Sequence, residues 1–314
     1  FMAVSWTDFI QGIIMFFAIV AIPVLGMMKM GGIDASLNAI REVDPQLLSL
    51  TITEEGKTIS AITIISLMAW GLGYWGQPHI LARFMAIRHS RMIKKSRRIA
   101  MVWVLISLCC AIGVGLLGNV LLESRLEGPD SETVFMYLVD QLSNPLFTGL
   151  LLSAILAAIM STADSQLLVA SSALTEDIYR LVEPDASQKK LVWVGRLAVI
   201  LIAIIAFFIA FNPEASVLEL VAYAWAGFGA TFGPLVLLSL YWKKMTYSSA
   251  IAGIISGGIT VLVWKQLEGG IFNLYEIVPG FIVSVVFIVS ISLWGRSVRP
   301  EVEAEYESVE SFDI

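Results

Sequence analysis

Apolar residues along this chain gather into runs of about twenty, separated by polar or charged connections; a helix needs that length to cross a bilayer core. Eight membrane helices are predicted, at 5–28, 59–82, 98–122, 146–172, 191–211, 217–241, 247–267 and 278–295. Two connections, 29–58 and 123–145, are long and polar. The second contains SETVFMYLVDQL (131–142), an amphipathic run that reads either as a surface helix lidding a cavity or as a plain connector.

Four spans interrupt their own apolar pattern. The fourth carries ILAAIMSTADSQLL (155–168). At about 100° per residue, Ala158, Ser161, Thr162 and Ser165 fall on one narrow stripe, with Asp164 about 60° round on its flank. Hydroxyl oxygens and an accessible backbone suit a hard cation such as Na⁺, which prefers oxygen donors. Packing is the plainer explanation for a single hydroxyl, but several polar groups around an Asp point to half of an ion site. An ionised carboxylate at this depth costs roughly 2.5–3.5 kcal/mol, so Asp164 is expected to face a cavity or a partner. The first span holds AVSWTDFIQ (3–11), which places Asp8 at a similar depth. The two acids meet only if these spans are neighbours.

The second span contains WGLGYWGQPH (70–79), where three glycines and Pro78 make the backbone bendable and leave carbonyls available to bind something. Trp70 and Tyr74, four apart, project from one face and suit a small zwitterionic or ring-shaped solute. A Pro-kinked helix with interfacial aromatics is the simpler alternative. The sixth span carries AYAWAGFGATFGP (222–234), whose Gly227, Gly229 and Gly233 serve either close helix packing or gating.

Composition narrows the class. Charged residues make up 15% of the chain, against about a quarter in soluble domains, and hydrophobic residues 57%. Mean hydropathy is +0.81. These values define an all-α polytopic membrane protein in a lipid bilayer, with no nucleic-acid partner expected. Adjacent Cys109 and Cys110 fit neither a disulfide nor a metal site and are expected to be buried small residues. His79 and His89 have no metal-ligand partners in the sequence. The chain opens on Phe1-Met2 without a basic n-region, so it reads as starting partway through a longer sequence rather than at a signal peptide.

Charge orients the spans. Fifteen of the twenty Lys and Arg fall on one set of connections and five (Lys29, Arg41, Lys57, Arg125, Lys265) on the other. The positive-inside rule puts the richer set, including the basic cluster at 87–98, in the cytoplasm with both ends of the chain. The tail after Arg299 is acidic and reads as disordered.

The stretches AVSWTDFIQ, WGLGYWGQPHILARFMAIR, ILAAIMSTADSQLLVASSALTEDIY and AYAWAGFGATFGPLVLLSLYWKK together resemble the sodium:solute symporter family, over essentially the whole chain. The resemblance implies an inverted-repeat (5+5) transporter fold of the leucine-transporter type, here an N-terminally truncated part with about eight membrane helices. Residues 1–30 would be the last helix of the first repeat, 31–241 the second repeat, 242–295 two trailing helices and 296–314 the cytoplasmic tail. It implies sodium bound by the Ala158 carbonyl and the Ser161 and Thr162 hydroxyls. Asp8 would handle sodium, with Asp164 and Ser165 in a supporting or second-ion role. Trp70, Tyr74 and Pro78 would bind the solute. The implied activity is sodium-coupled uptake of a small solute, proline foremost, across a bacterial inner membrane, and not an enzyme's. Another small amino or organic acid is the alternative solute. Two rivals from other classes are a transporter-like sensor domain and, more remotely, an intramembrane aspartyl protease using Asp8 and Asp164.

Overall fold

The computed structural model describes residues 2–53, 56–211 and 216–294, together with 302–304, 306 and 308. Arg296, Arg299 and most of the acidic tail lie outside the described residues. Among the described residues, seven helices are long and apolar enough to cross a membrane. They are α1 (Met2–Lys29), α5 (Met92–Leu121), α7 (Pro145–Ser172, continued by a π-helical stretch Ala173–Tyr179 and a last turn, α8, Arg180–Val182), α9 (Gln188–Ile209), α10 (Val217–Tyr241), α11 (Tyr247–Trp264) and α12 (Ile277–Trp294). Only between 6% and 28% of each one's most apolar stretch is buried, so most apolar side chains face outward, as lipid-facing helices require.

The predicted second span is not one helix. It divides into α3 (Ala61–Met68), a 3-10 segment (Ala69–Gly76) and α4 (Pro78–Met85). The cause is local. Gly71, Gly73 and Gly76 have weak helix propensity, Pro78 has no N–H to donate, and a residue before proline is driven toward extended backbone. Gln77 has φ −83° and ψ 113°, and the helix ends there.

The chain forms two compact units. The first, residues 1–57 and 94–215, lays α1 along α7. Asn144 caps α7 by accepting from the Leu146 and Phe147 N–H groups, with Pro145 in the first turn, where a missing donor costs nothing. Its core joins Ala18 and Ile22 of α1, Val114 and Leu117 of α5, and Leu151 and Ala154 of α7. It also takes in Leu138 and Val139 of α6 (Val134–Leu142), both fully buried. The amphipathic run at 131–142 is thus more than a plain connector: it forms a helix that buries Leu138 and Val139, leaves Met136 and Tyr137 exposed, and lends Phe135 and Met136 to the wall of a cavity. The other long connection contains α2 (Ile33–Val43), whose Ile40 is buried.

The second unit, residues 58–93 and 216–314, packs α10, α11 and α12 on one another and the broken segment on α10. Small residues permit this closeness. A Cβ on Gly229 would lie 2.6 Å from the Cα of Gly73, and one on Gly233 2.9 Å from the Phe281 ring. Gly227 has open space beside it, so two of the three glycines flagged in this span are packing residues and the third is not.

The two cysteines differ from expectation: Cys109 is exposed and Cys110 half-buried. They ride on α5, whose outer faces are apolar and solvent-free in a bilayer. A thiol, being weakly polar, needs no protein burial there.

Candidate functional site

The first candidate site lies in the first unit, where α1 and α7 are neighbours. Ser165 Oγ donates to Asp8 Oδ2 at 3.1 Å, and Ser165 is buried at 6% exposure. One and a bit turns earlier on α7, Ser161 Oγ donates to the Ala158 carbonyl at 3.1 Å. Thr162 stands beside them, exposed, and Asp164 is half-buried on the flank. Four oxygen-bearing groups thus occupy two closely spaced pairs, and every donor atom is hard. The donor set fits an alkali cation and would hold a soft metal poorly. Among the described residues no group of three or more His, Cys, Asp or Glu is gathered for a metal ion.

Asp8, then, meets Ser165 and not Asp164. An aspartyl protease requires two carboxylates in direct contact sharing one proton, whereas the Asp8 carboxylate accepts from the Ser165 hydroxyl. Sequence reasoning missed Gln11, one turn beyond Asp8 on α1. Its side-chain Oε1 is buried with no hydrogen-bond partner among the described residues. The AVSWTDFIQ motif contained that signal, since a carboxamide at i+3 from an acid shares its helix face. Ala158 also borders an apolar cavity of about 470 Å³, walled by Phe16, Trp103, Phe135 and Ala154 among others. Asp164 is not among its lining residues.

The second candidate site lies in the second unit and is aromatic. Trp70 runs parallel to Trp225 at 5.6 Å between ring centres and to Tyr275 at 6.1 Å. Tyr74 meets Trp225 edge-on at 4.9 Å. Trp225 Nε1 donates to the Trp70 carbonyl at 2.9 Å, so this carbonyl, predicted to be available, is already taken. Gln77 Nε2 donates to the Trp225 carbonyl at 3.3 Å, and Tyr275 Oη to the Ala222 carbonyl at 2.6 Å. Burial first, and the neighbouring Glu276 second, push the Tyr275 phenol above its ordinary value and keep it a donor. Tyr74 stays half-exposed at 50%, leaving ring surface open to a ligand. Pro78 begins α4 and acts through the break it imposes. Trp225, Tyr275 and Gln77 were not singled out from sequence. Trp225 lay in plain view inside the glycine-rich sixth span, but nothing in a linear pattern pairs it with Trp70, 155 residues away.

A stripe of oxygen-bearing groups on one long apolar helix and an aromatic cluster on a broken one are the two features that stand out from the apolar helices around them. The profile of the sodium:solute symporter family matches residues 1–257, and the chain belongs to that family. It is 48% identical over 303 residues to the sodium/proline symporter of Escherichia coli K12, covering 95% of this chain and 59% of that protein. It is 50% identical over 295 residues to the high-affinity proline transporter PutP of Bacillus subtilis 168, covering 93% of this chain and 61% of the relative. The chain thus spans about three fifths of these relatives. A solved Na⁺-coupled sialic acid symporter in a substrate-bound, outward-open state shares the fold. Its TM-score is 0.70 and its identity 22%, over 94% of this chain and 63% of that one.

Proposed function

We propose that this chain forms the larger part of a sodium-coupled secondary transporter that takes up L-proline by alternating access. The observation that carries this reading is the all-oxygen pairing on α1 and α7, Asp8 with Ser165 and Ala158 with Ser161. Sodium is cargo here. Ala158, Ser161 and Thr162 hold one ion, and Asp8 and Ser165, with Asp164 beside them, tune it or hold a second. Trp70 and Tyr74 contact the solute, and Pro78 keeps their segment broken. Residues 1–30 serve as the last helix of a first repeat, 31–241 as its inverted mate and 242–295 as trailing helices, with both ends cytoplasmic. The high identity to proline transporters favours proline over other small amino or organic acids.

Coupling requires sodium to favour one state of the carrier over the other. The driving force is adequate. One Na⁺ moving through 100 mV gains about 2.3 kcal/mol. A tenfold gradient adds about 1.4 kcal/mol, and the two together support accumulation of several hundredfold. The test is labelled-proline uptake by the full-length protein in membrane vesicles, with and without an inward sodium gradient. Uptake must require sodium, and uptake indifferent to it would leave a sensor or a uniporter. A cysteine at Ser90 should label only from the cytoplasm and one at Ser131 only from outside; the opposite pattern would reverse the orientation.

A further inference from the structure

We propose that Trp225 of α10 is a positioning residue for the solute site: it sets the orientation of Trp70 and Tyr74 and so controls solute affinity. This rests on the reading of those two aromatics as the solute-binding pair. Three contacts converge on the one indole. Its Nε1 donates to the Trp70 carbonyl at 2.9 Å, its ring lies 16° from parallel with the Trp70 ring, and the Tyr74 ring stands at 87° to it.

The backbone around Trp225 is held as well. Gln77, the extended residue that ends the 3-10 segment, is buried at 4% and donates to the Trp225 carbonyl. Side chain and main chain of one residue therefore grip both ends of the broken segment, Trp70 at its start and Gln77 just past its finish. Room for the indole exists only because residue 73 is glycine: a Cβ there would overlap Trp225 Nε1.

A 3-10 segment has poorer internal hydrogen bonds than an α-helix and runs longer than three or four residues only with outside support. Here it runs for eight. Without the indole N–H, the Trp70 carbonyl loses a partner and the Trp70 and Tyr74 rings lose their common reference plane. The solute would then meet a mobile pair of rings and forfeit binding energy in ordering them.

The experiment compares initial rates of proline uptake by the full-length protein and three variants, with surface expression measured for each. Trp225→Phe keeps a ring for Tyr74 and Trp70 but loses the N–H, and should raise the proline KM about three- to tenfold. Maximal rate and half-saturating sodium should stay within about twofold, because only solute binding is touched. Trp225→Leu removes the ring as well and should raise KM further. Gly73→Ala pushes the indole away from the opposite side and should reproduce the KM rise with Trp225 intact. If Trp225→Leu fails to reach the membrane, Trp225→Phe and Gly73→Ala carry the test. A proline KM unchanged in Trp225→Phe, while Trp70→Ala still raises it, overturns the inference and leaves the solute-site reading standing. Equal losses in solute affinity, sodium affinity and rate would mark Trp225 as merely structural and overturn it too. If Trp70→Ala and Tyr74→Ala also leave KM unchanged, both readings fall together.

Discussion

In α7 the polar side chains ride on an uninterrupted helix, whereas between Ala69 and Gly76 the helix itself gives way. The stripe on α7 uses regular geometry: Ala158, Ser161 and Ser165 repeat at helical spacing, and one long-range hydrogen bond, Ser165 to Asp8, ties the stripe to α1. The aromatic cluster of the second unit uses the reverse. Its residues come from the broken segment, from α10 and from the turn before α12, and almost every contact crosses a long sequence separation. On the proposed reading, ion ligands must be numerous and close, and the regular spacing of a helix supplies them. A solute surface has to be shaped, and shape is assembled from several elements. The two regions should accordingly respond to different mutations.

The largest effect is expected on α7. Replacing Ser161 or Thr162 by Ala deletes an oxygen but little volume, so the protein should still reach the membrane. Half-saturating sodium should rise about tenfold or more for each, about 1.4 kcal/mol being a factor of ten. Thr162→Ser, which keeps the oxygen, should be far milder. If both alanine variants retain the original sodium dependence, the stripe is packing, and the contrast between the regions collapses.

The next effect tests the second region's dependence on close backbone approach. A Cβ on Gly76 would overlap the Phe228 carbonyl, while Gly71, in the same segment, has open space around it. Gly76→Ala should lower stability by about 1–3 kcal/mol, as overpacking does, and Gly71→Ala should leave it nearly unchanged. Thermal unfolding of the purified protein in detergent separates the two, and equal melting temperatures would count against the packing.

Smaller still, Trp70→Ala and Tyr74→Ala should weaken proline binding by about two- to tenfold, an aromatic contact being worth about 0.5–1.5 kcal/mol beyond its area. Half-saturating sodium should move less, and the ratio of the two shifts measures how separate the regions are. Asp164→Asn should change half-saturating sodium by no more than about threefold, less than either hydroxyl loss. A larger change would promote Asp164 from the flank into the ion's own coordination.

The smallest effect concerns pH. The Tyr275 phenol titrates above its ordinary value near 10. The folded state holds this proton more tightly than the unfolded chain does. Its contribution to stability is thus complete below about pH 10 and declines as pH rises beyond it. Ultraviolet difference titration of Tyr275→Phe against the parent should show no tyrosinate from Tyr275 near pH 10, the ordinary value of a tyrosine.

Much was legible in the linear pattern because in a membrane the rule is local. Each span must satisfy its own backbone, so apolar length alone marks it, and seven of the eight predicted spans are long helices. The stripe from Ala158 to Ser165 was legible for the same reason, since helical periodicity decides which residues share a face. Pro78 and the glycines announced a bendable second span, though not that the chain would abandon the α-helix for eight residues.

Tertiary structure alone decided the rest. That Asp8 meets Ser165 and not Asp164 depends on the rotation of α1 against α7, which the sequence of neither helix specifies. That the run at 131–142 buries one face follows from Leu138 and Val139 finding α1 and α7 to pack on. Trp225 capping Trp70 needed two chain segments far apart in sequence to approach until only glycine fits between them. Local hydrogen bonding and apolar length act along the chain and can be read there, whereas close packing and the pairing of buried polar groups act between elements and exist only once those elements have met.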